Sequence, residues 1–174
     1  MLAEALRSQG KDVVETREPT QGPWGRKIRA MAQSGERVSP EEELDWFVKD
    51  RKEHIEQLIE PSLSSGKVVV QDRYYFSTAA YQGSRGLDVQ EILSMHEEFA
   101  PAPTRVFLIE IPPAVGLQRV QVSRGETPDA FETLSSLERC GAIFDELQTP
   151  GLVRINGELS PEEIHQIILQ NLPG

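Results

Sequence analysis

Apolar residues fall at helical spacing in Leu2-Ala3-Glu4-Ala5-Leu6-Arg7, and Gly10 followed by Lys11-Asp12 ends that run. Val13-Val14-Glu15-Thr16 is short and rich in β-branched residues, which predicts a strand closed by Arg17-Glu18-Pro19. Gly22-Pro23-Trp24-Gly25 predicts a continued loop, and residues 28–33 a short helix. Ser39-Pro40-Glu41-Glu42 has a capping serine, proline at the first helical position and acids at the positive end of the helix dipole. The helix it starts carries Leu44, Phe47, Ile55, Leu58 and Ile59 at helical spacing and stops at Ser64-Ser65-Gly66. Lys67-Val68-Val69-Val70-Gln71 has no polar alternation, the pattern of a strand buried on both faces of a parallel sheet.

Further along, a helical stretch reaches Tyr81, the loop Gly83-Ser84-Arg85-Gly86 follows, and a second helix runs over 88–99. Residues 105–110 predict a third strand, Pro112-Pro113 opens a helix to about Val122, and residues 123–129 form a polar loop. A helix over 131–147, a strand over 152–155 and a helix opened by Ser160-Pro161 complete the pattern. Four strands alternating with helices predict one α/β domain over residues 1–174 with a parallel sheet.

Composition narrows the function classes. With Lys+Arg 18 against Asp+Glu 28, the formal charge of −10 provides no long-range attraction for nucleic acid or an anionic membrane. Any bound phosphate must therefore meet locally placed arginines. No apolar run approaches the ~20 residues of a membrane span, and the cytoplasm is the expected compartment. Cys140 is the single cysteine, in a helical setting that favours a small packed residue over a reactive thiol. His54, His96 and His165 share no metal-ligand spacing and are expected to be solvated or locally satisfied; no metal ligand is assigned.

In parallel α/β sheets, ligands bind beyond the carboxyl ends of the strands. Arg17-Glu18 follows the first strand and Asp72-Arg73 the second, so two arginine–carboxylate pairs are expected at neighbouring strand ends. One such pair could simply cap a strand. Two at equivalent positions favour an anion site, because guanidinium forks match phosphate oxygens.

The residues at these positions resemble the thymidylate kinase family. Thr16-Arg17-Glu18-Pro19 is similar to its first strand-end signature, and Asp72-Arg73-Tyr74 with Ser77-Thr78-Ala79-Ala80-Tyr81-Gln82-Gly83 to its second. Val115-Gly116-Leu117-Gln118-Arg119 resembles the start of its lid helix. The resemblance covers the whole chain. It implies the three-layer parallel sheet of P-loop nucleoside monophosphate kinases and transfer of the ATP γ-phosphoryl group to dTMP, giving dTDP, with Mg²⁺ as cofactor. It also implies a homodimer.

By the same resemblance, Arg17 and Arg73 would grip the dTMP phosphate, and Phe47 would stack on thymine. Arg51, one helical turn from Phe47, would bond the base carbonyl. Thr78 belongs to the substrate signature, and Tyr81 would pack on the sugar. Glu18 and Asp72 would order the phosphate-binding arginines and the hydrated magnesium ion. Arg119 and Arg124 would flank a lid over about 119–132 and face the nucleotide donor; apart from the resemblance, the Asn156-Gly157 turn is the expected place for the adenine. Asp129-Ala130-Phe131-Glu132 departs from the family in having alanine where many members have a lid arginine.

The donor half of such a site rests on Gly-x-x-x-x-Gly-Lys-Ser/Thr, whose amides cradle ATP phosphates. The sequence contains no such string. The resemblance therefore implies an N-terminal truncation that removes the first strand and this loop. That strand is central in the family, so the strands ending at Asp72 and Glu110 are expected to face each other across a gap. The alternative is a non-catalytic dTMP-binding protein on a kinase scaffold.

Overall fold

A computed structural model describes residues 1–124 and 133–173, with side chains described for all of these except 120–124. Helix α1 (Leu2–Ser8) leads through Gly10, in the left-handed region at φ 81°, into strand β1 (Val13–Arg17). Helix α2 (Pro23–Ser34) begins five residues earlier than the pattern predicts. Pro23 occupies its first turn, where no N–H partner is needed, so the expected loop is already helical.

Helix α3 (Pro40–His54) starts as expected, with Ser39 Oγ accepting from the Glu42 amide. It then widens into a π-helical stretch (Ile55–Ile59), in which the Glu60 amide reaches back to the Ile55 carbonyl, before α4 (Glu60–Ser64). Pro61 accounts for the widening: a proline inside a helix clashes with the carbonyl four residues earlier, and an extra residue in the turn relieves that clash. Strand β2 (Val68–Asp72) follows. Then come α5 (Tyr75–Gly83), α6 (Val89–Glu97), β3 (Val106–Glu110), α7 (Pro113–Arg124), α8 (Leu134–Glu146), β4 (Leu152–Asn156) and α9 (Pro161–Gln170).

Among the described residues the strands form two separate parallel pairs, β1 with β2 and β3 with β4. β2 and β3 are not hydrogen-bonded to each other, which matches the expected gap between them. The prediction of full burial on both faces does not hold. Val68, Val69 and Val70 are only half-buried, and Ile109 in β3 is 50% exposed. Among the described residues each apolar strand has a neighbour on one edge only, so its side chains lack the packing that a second neighbour supplies.

Among the described residues, three apolar clusters join neighbouring elements. Ile55, Ile59, Tyr75, Phe76 and Ala100 join the π-helical stretch to α5. Ala3, Leu6 and Val13 pack α1 on β1, and Ile28, Met31 and Trp46 pack α2 on α3. Cys140 is buried in α8 with its thiol against the Ala80 carbonyl, and burial pushes that thiol's pKa up. None of the described helices is long and apolar enough to cross a membrane.

Candidate functional site

β1 and β2 end together. Their register pairs Thr16 with Gln71 and Arg17 with Asp72, and the ladder continues as the Glu18 amide donates to the Asp72 carbonyl at 3.1 Å. Residues opposite each other in a parallel pair project to the same face, so Arg17 and Asp72 stand side by side, with Arg73 one residue beyond. At Arg73 the backbone enters the left-handed region, φ 64°, which non-glycine residues adopt rarely and at some cost. The Gln71 amide nitrogen ties down the Arg73 carbonyl at 2.9 Å. The Arg73 guanidinium then lies 5.5 Å from the centre of the Tyr81 ring on α5.

Arg17, Asp72 and Arg73 are all exposed. Among the described residues, the Arg17 guanidinium has no hydrogen-bond or ion-pair partner, and Arg73 has no carboxylate partner. Two guanidinium groups at adjacent strand tips, with the exposed carboxylate of Asp72 beside them, leave an excess of positive charge at this edge in a chain of net charge −10.

The loop after β1 is fixed from below. Asp50, on α3 and almost fully buried, accepts from the Thr20 amide at 2.8 Å and from the Thr20 hydroxyl at 2.6 Å. Arg29 on α2 donates to the Pro19 carbonyl at 2.8 Å. Gly25 packs so closely on this loop that a Cβ there would lie 1.9 Å from the Thr20 carbonyl oxygen. The chain between Arg17 and α2 can therefore hardly move without unseating both helices.

Behind the tip lies a buried polar network that the sequence did not predict. Glu18 is 5% exposed and Arg51 is 1% exposed. Arg51 Nε donates to Glu18 Oε2 at 2.9 Å and Nη2 donates to the same oxygen. Nη2 also donates to the Thr78 hydroxyl at 3.1 Å, and Nη1 contacts His96 Nε2 at 2.8 Å. The His96 tautomer follows from its neighbours. Its Nδ1 lies 2.7 Å from the Ile92 carbonyl, which can only accept, so Nδ1 carries the hydrogen and Nε2 accepts from Arg51. Burial, and then the adjacent Arg51 charge, lower the His96 pKa to about 4, so the ring is neutral near pH 7.

The other oxygen of Glu18 receives His54 Nδ1 at 2.9 Å, and His54 Nε2 lies 2.6 Å from Thr16 Oγ1. Burial alone would raise the Glu18 pKa. The His54 hydrogen bond and the Arg51 charge outweigh it and hold the carboxyl below its usual range. The polar chain thus joins β1, α3, α5 and α6 around one ionised carboxylate.

This geometry gives Arg51 and Glu18 occupations other than those expected from the sequence. The Arg51 guanidinium is enclosed by Glu18, His96 and Thr78 and has almost no open surface to offer a base carbonyl. Glu18 is held by Arg51 and His54 and does not face solvent, where a hydrated ion would sit. Of the two expected magnesium-side carboxylates, Asp72 alone is exposed at the tip. Phe47 is half-buried beside Trp46, and Tyr81 is half-buried on α5. Thr78 is buried and accepts from Arg51.

At the other strand pair, Arg119 Nη1 donates to the Gly157 carbonyl at 2.9 Å, and the Gly157 amide donates to the Glu110 carbonyl at 2.7 Å. Asn156 Oδ1 accepts from the Glu158 amide at 2.9 Å. Arg119 and the Asn156-Gly157 turn therefore meet at the β3–β4 tip. The Arg124 side chain and the Asp129-Ala130-Phe131-Glu132 segment lie outside the described residues. Among the described residues, no group of three or more His, Cys, Asp or Glu side chains could by itself enclose a metal ion.

Parallel strand pairs flanked by helices, with arginines exposed at the β1 and β2 tips, make this an α/β protein, the class to which P-loop nucleoside monophosphate kinases belong. A family model described as thymidylate kinase matches residues 1–168. A thymidylate kinase of Desulfotalea psychrophila is 44% identical over 172 residues, covering 99% of this chain and 85% of that protein. One from Xanthomonas campestris pv. campestris is 46% identical over 150 residues, covering 86% of this chain and 65% of that protein. A third, from Akkermansia muciniphila, is 44% identical over 163 residues, with 94% and 78% covered. The chain belongs to the thymidylate kinase family.

Proposed function

We propose that the tips of β1 and β2 bind the 5′-phosphate of dTMP, with Arg17 and Arg73 as the gripping cations, and that this serves transfer of the ATP γ-phosphoryl group to give dTDP. The observation that carries the reading is the register of Arg17 against Asp72, followed at once by the left-handed turn at Arg73. Two forks at one edge can each offer paired N–H groups to a phosphate, and such charge-assisted bonds are the strongest that side chains make. The names of the relatives support the choice of dTMP and of kinase chemistry.

Phosphoryl transfer demands positioning and charge neutralisation more than covalent help from the protein. Asp72, exposed beside Arg17, fits a hydrated Mg²⁺, which takes one or two carboxylates together with substrate phosphates and water. When bound, that ion would offset charge on the phosphates. Phe47 and Tyr81 are proposed to contact base and sugar, with Arg51 and Thr78 holding the site from behind through Glu18. Arg119, Arg124 and Asn156 are proposed on the ATP side. A cytoplasmic homodimer is the proposed working state.

Calorimetric titration tests the acceptor site. Arg17→Ala and Arg73→Ala are each expected to weaken dTMP binding roughly ten- to hundredfold, the size of a lost bond to a charged group. Unchanged affinity in both variants would overturn the reading. An assay of ATP consumption with dTMP and Mg²⁺ separates the two functional alternatives. Turnover supports the kinase, whereas dTMP binding without ATP consumption assigns a non-catalytic binding protein.

A further inference from the structure

The spacing of the histidines gives His54 no role, yet its ring spans the two residues that flank Arg17. In a strand, residues i and i+2 project to the same face and residue i+1 to the other. Thr16 and Glu18 accordingly turn inward towards α3, while Arg17 turns outward to the cationic edge. Both inward side chains end on one imidazole: Thr16 Oγ1 at 2.6 Å from Nε2, and Glu18 Oε1 at 2.9 Å from Nδ1. An ionised Glu18 only accepts, so Nδ1 carries a hydrogen. Nε2 and the Thr16 hydroxyl share the second hydrogen bond, since either atom can supply the hydrogen.

We infer that His54 is a positioning residue, which sets the direction of the Arg17 side chain by clamping the strand on either side of it. The inference rests on the reading that Arg17 grips the dTMP phosphate. The Arg17 guanidinium has no partner of its own among the described residues, so its aim is set by its backbone. The ladder to β2 holds that backbone on one edge, and the His54 clamp holds it from α3. The clamp is itself stiff, because Glu18 is also gripped by Arg51, which His96 and Thr78 hold in turn. Loss of the clamp leaves base and sugar contacts in place and spreads the Arg17 side chain over more orientations. It should therefore weaken recognition of the phosphate and leave recognition of the nucleoside as it was.

The test compares dTMP with thymidine, which lacks the phosphate, by calorimetry on the 174-residue chain and on four variants. Thr16→Val keeps the shape of the side chain and removes one end of the clamp, and Thr16→Ser restores a hydroxyl. His54→Asn retains a donor towards Glu18 and loses the bond to Thr16. Arg17→Ala reports on the underlying reading. Thr16→Val and His54→Asn are expected to weaken dTMP binding about fivefold to tenfold, the size of one hydrogen bond. Thymidine affinity should stay within about twofold, and Thr16→Ser should return dTMP affinity to that of the unmodified chain.

Equal weakening of both ligands would assign His54 a purely structural role and overturn the inference. So would unchanged dTMP affinity in Thr16→Val. If Arg17→Ala weakens dTMP binding while Thr16→Val does not, the positioning role fails and the phosphate site stands. If Arg17→Ala itself has no effect, both fail together.

Discussion

Replacing Arg51 with alanine is expected to destabilise the fold by about 3–5 kcal/mol, the cost of removing one partner from a buried ion pair. The reason is what remains behind. Glu18, 5% exposed, would keep its bond from His54 and lose both guanidinium contacts, while His96 Nε2 would be left without its donor. Each stranded group bears its desolvation penalty in full. A domain of this size is typically stable by only about 5–15 kcal/mol, so the variant should be poorly folded even under mild conditions.

Urea denaturation followed by the fluorescence of Trp24 and Trp46 gives the number. A double variant, Arg51→Met with Glu18→Leu, should recover only the part owed to the stranded Glu18 charge, because His54 Nδ1 and His96 Nε2 still lack their partners. A loss below about 1 kcal/mol for Arg51→Ala would instead match a surface arginine. It would return this guanidinium to the base-recognition role expected from the sequence.

The second large effect is on pH dependence. His96 has its pKa lowered to about 4 in the folded chain, against about 6.5 when unfolded. Between those values the unfolded chain binds a proton that the folded chain refuses, so stability rises with pH across this window. The contribution is complete above pH 6.5 and is lost as pH falls towards 4. A gap of this size corresponds to roughly 3 kcal/mol.

Glu18 acts in the same direction and at lower pH. Its carboxyl is held below the ordinary carboxylate value by His54 and Arg51, so its contribution is present above that value and disappears as the group is protonated. Urea midpoints at pH 7.5, 5.5 and 4.5 should therefore fall steeply. His96→Gln keeps an acceptor for Arg51 and does not titrate, so it should flatten the segment between pH 6.5 and 4.5 relative to the unmodified chain. An identical slope in both proteins would contradict the neutral, buried His96 described here.

Much of the architecture could be read directly from local pattern. Ser39-Pro40 and Ser160-Pro161 start helices where their chemistry says they should, and Ser160 and Glu163 complete a reciprocal cap. The four strands lie where continuous apolar or β-branched runs predict them. Arg17, Asp72 and Arg73 were recognisable because a strand-end position is a local property, and the parallel register then brings the two tips together.

What the sequence hid is long-range. Glu18 and Arg51 are 33 residues apart and Arg51 and His96 are 45 apart, distances at which helical or strand spacing says nothing about contact. One signal was available. Arg51 and His54 share a helix face at i and i+3, and a carboxylate next to a proline at a strand end needs buried cations if the loop folds inward. The widening of α3 was likewise foreshadowed only by Pro61. The half-exposure of Val68–Val70 and Ile109 followed from strand pairing, a property of the assembled sheet that no single segment carries.

A crystal structure of the chain grown with dTMP would test the central claim most directly. The account predicts phosphate oxygens within hydrogen-bond distance of the guanidinium groups of both Arg17 and Arg73, with Arg51 still on Glu18. A phosphate bound away from the β1 and β2 tips, or a nucleotide seated with its base over Arg17, would contradict it.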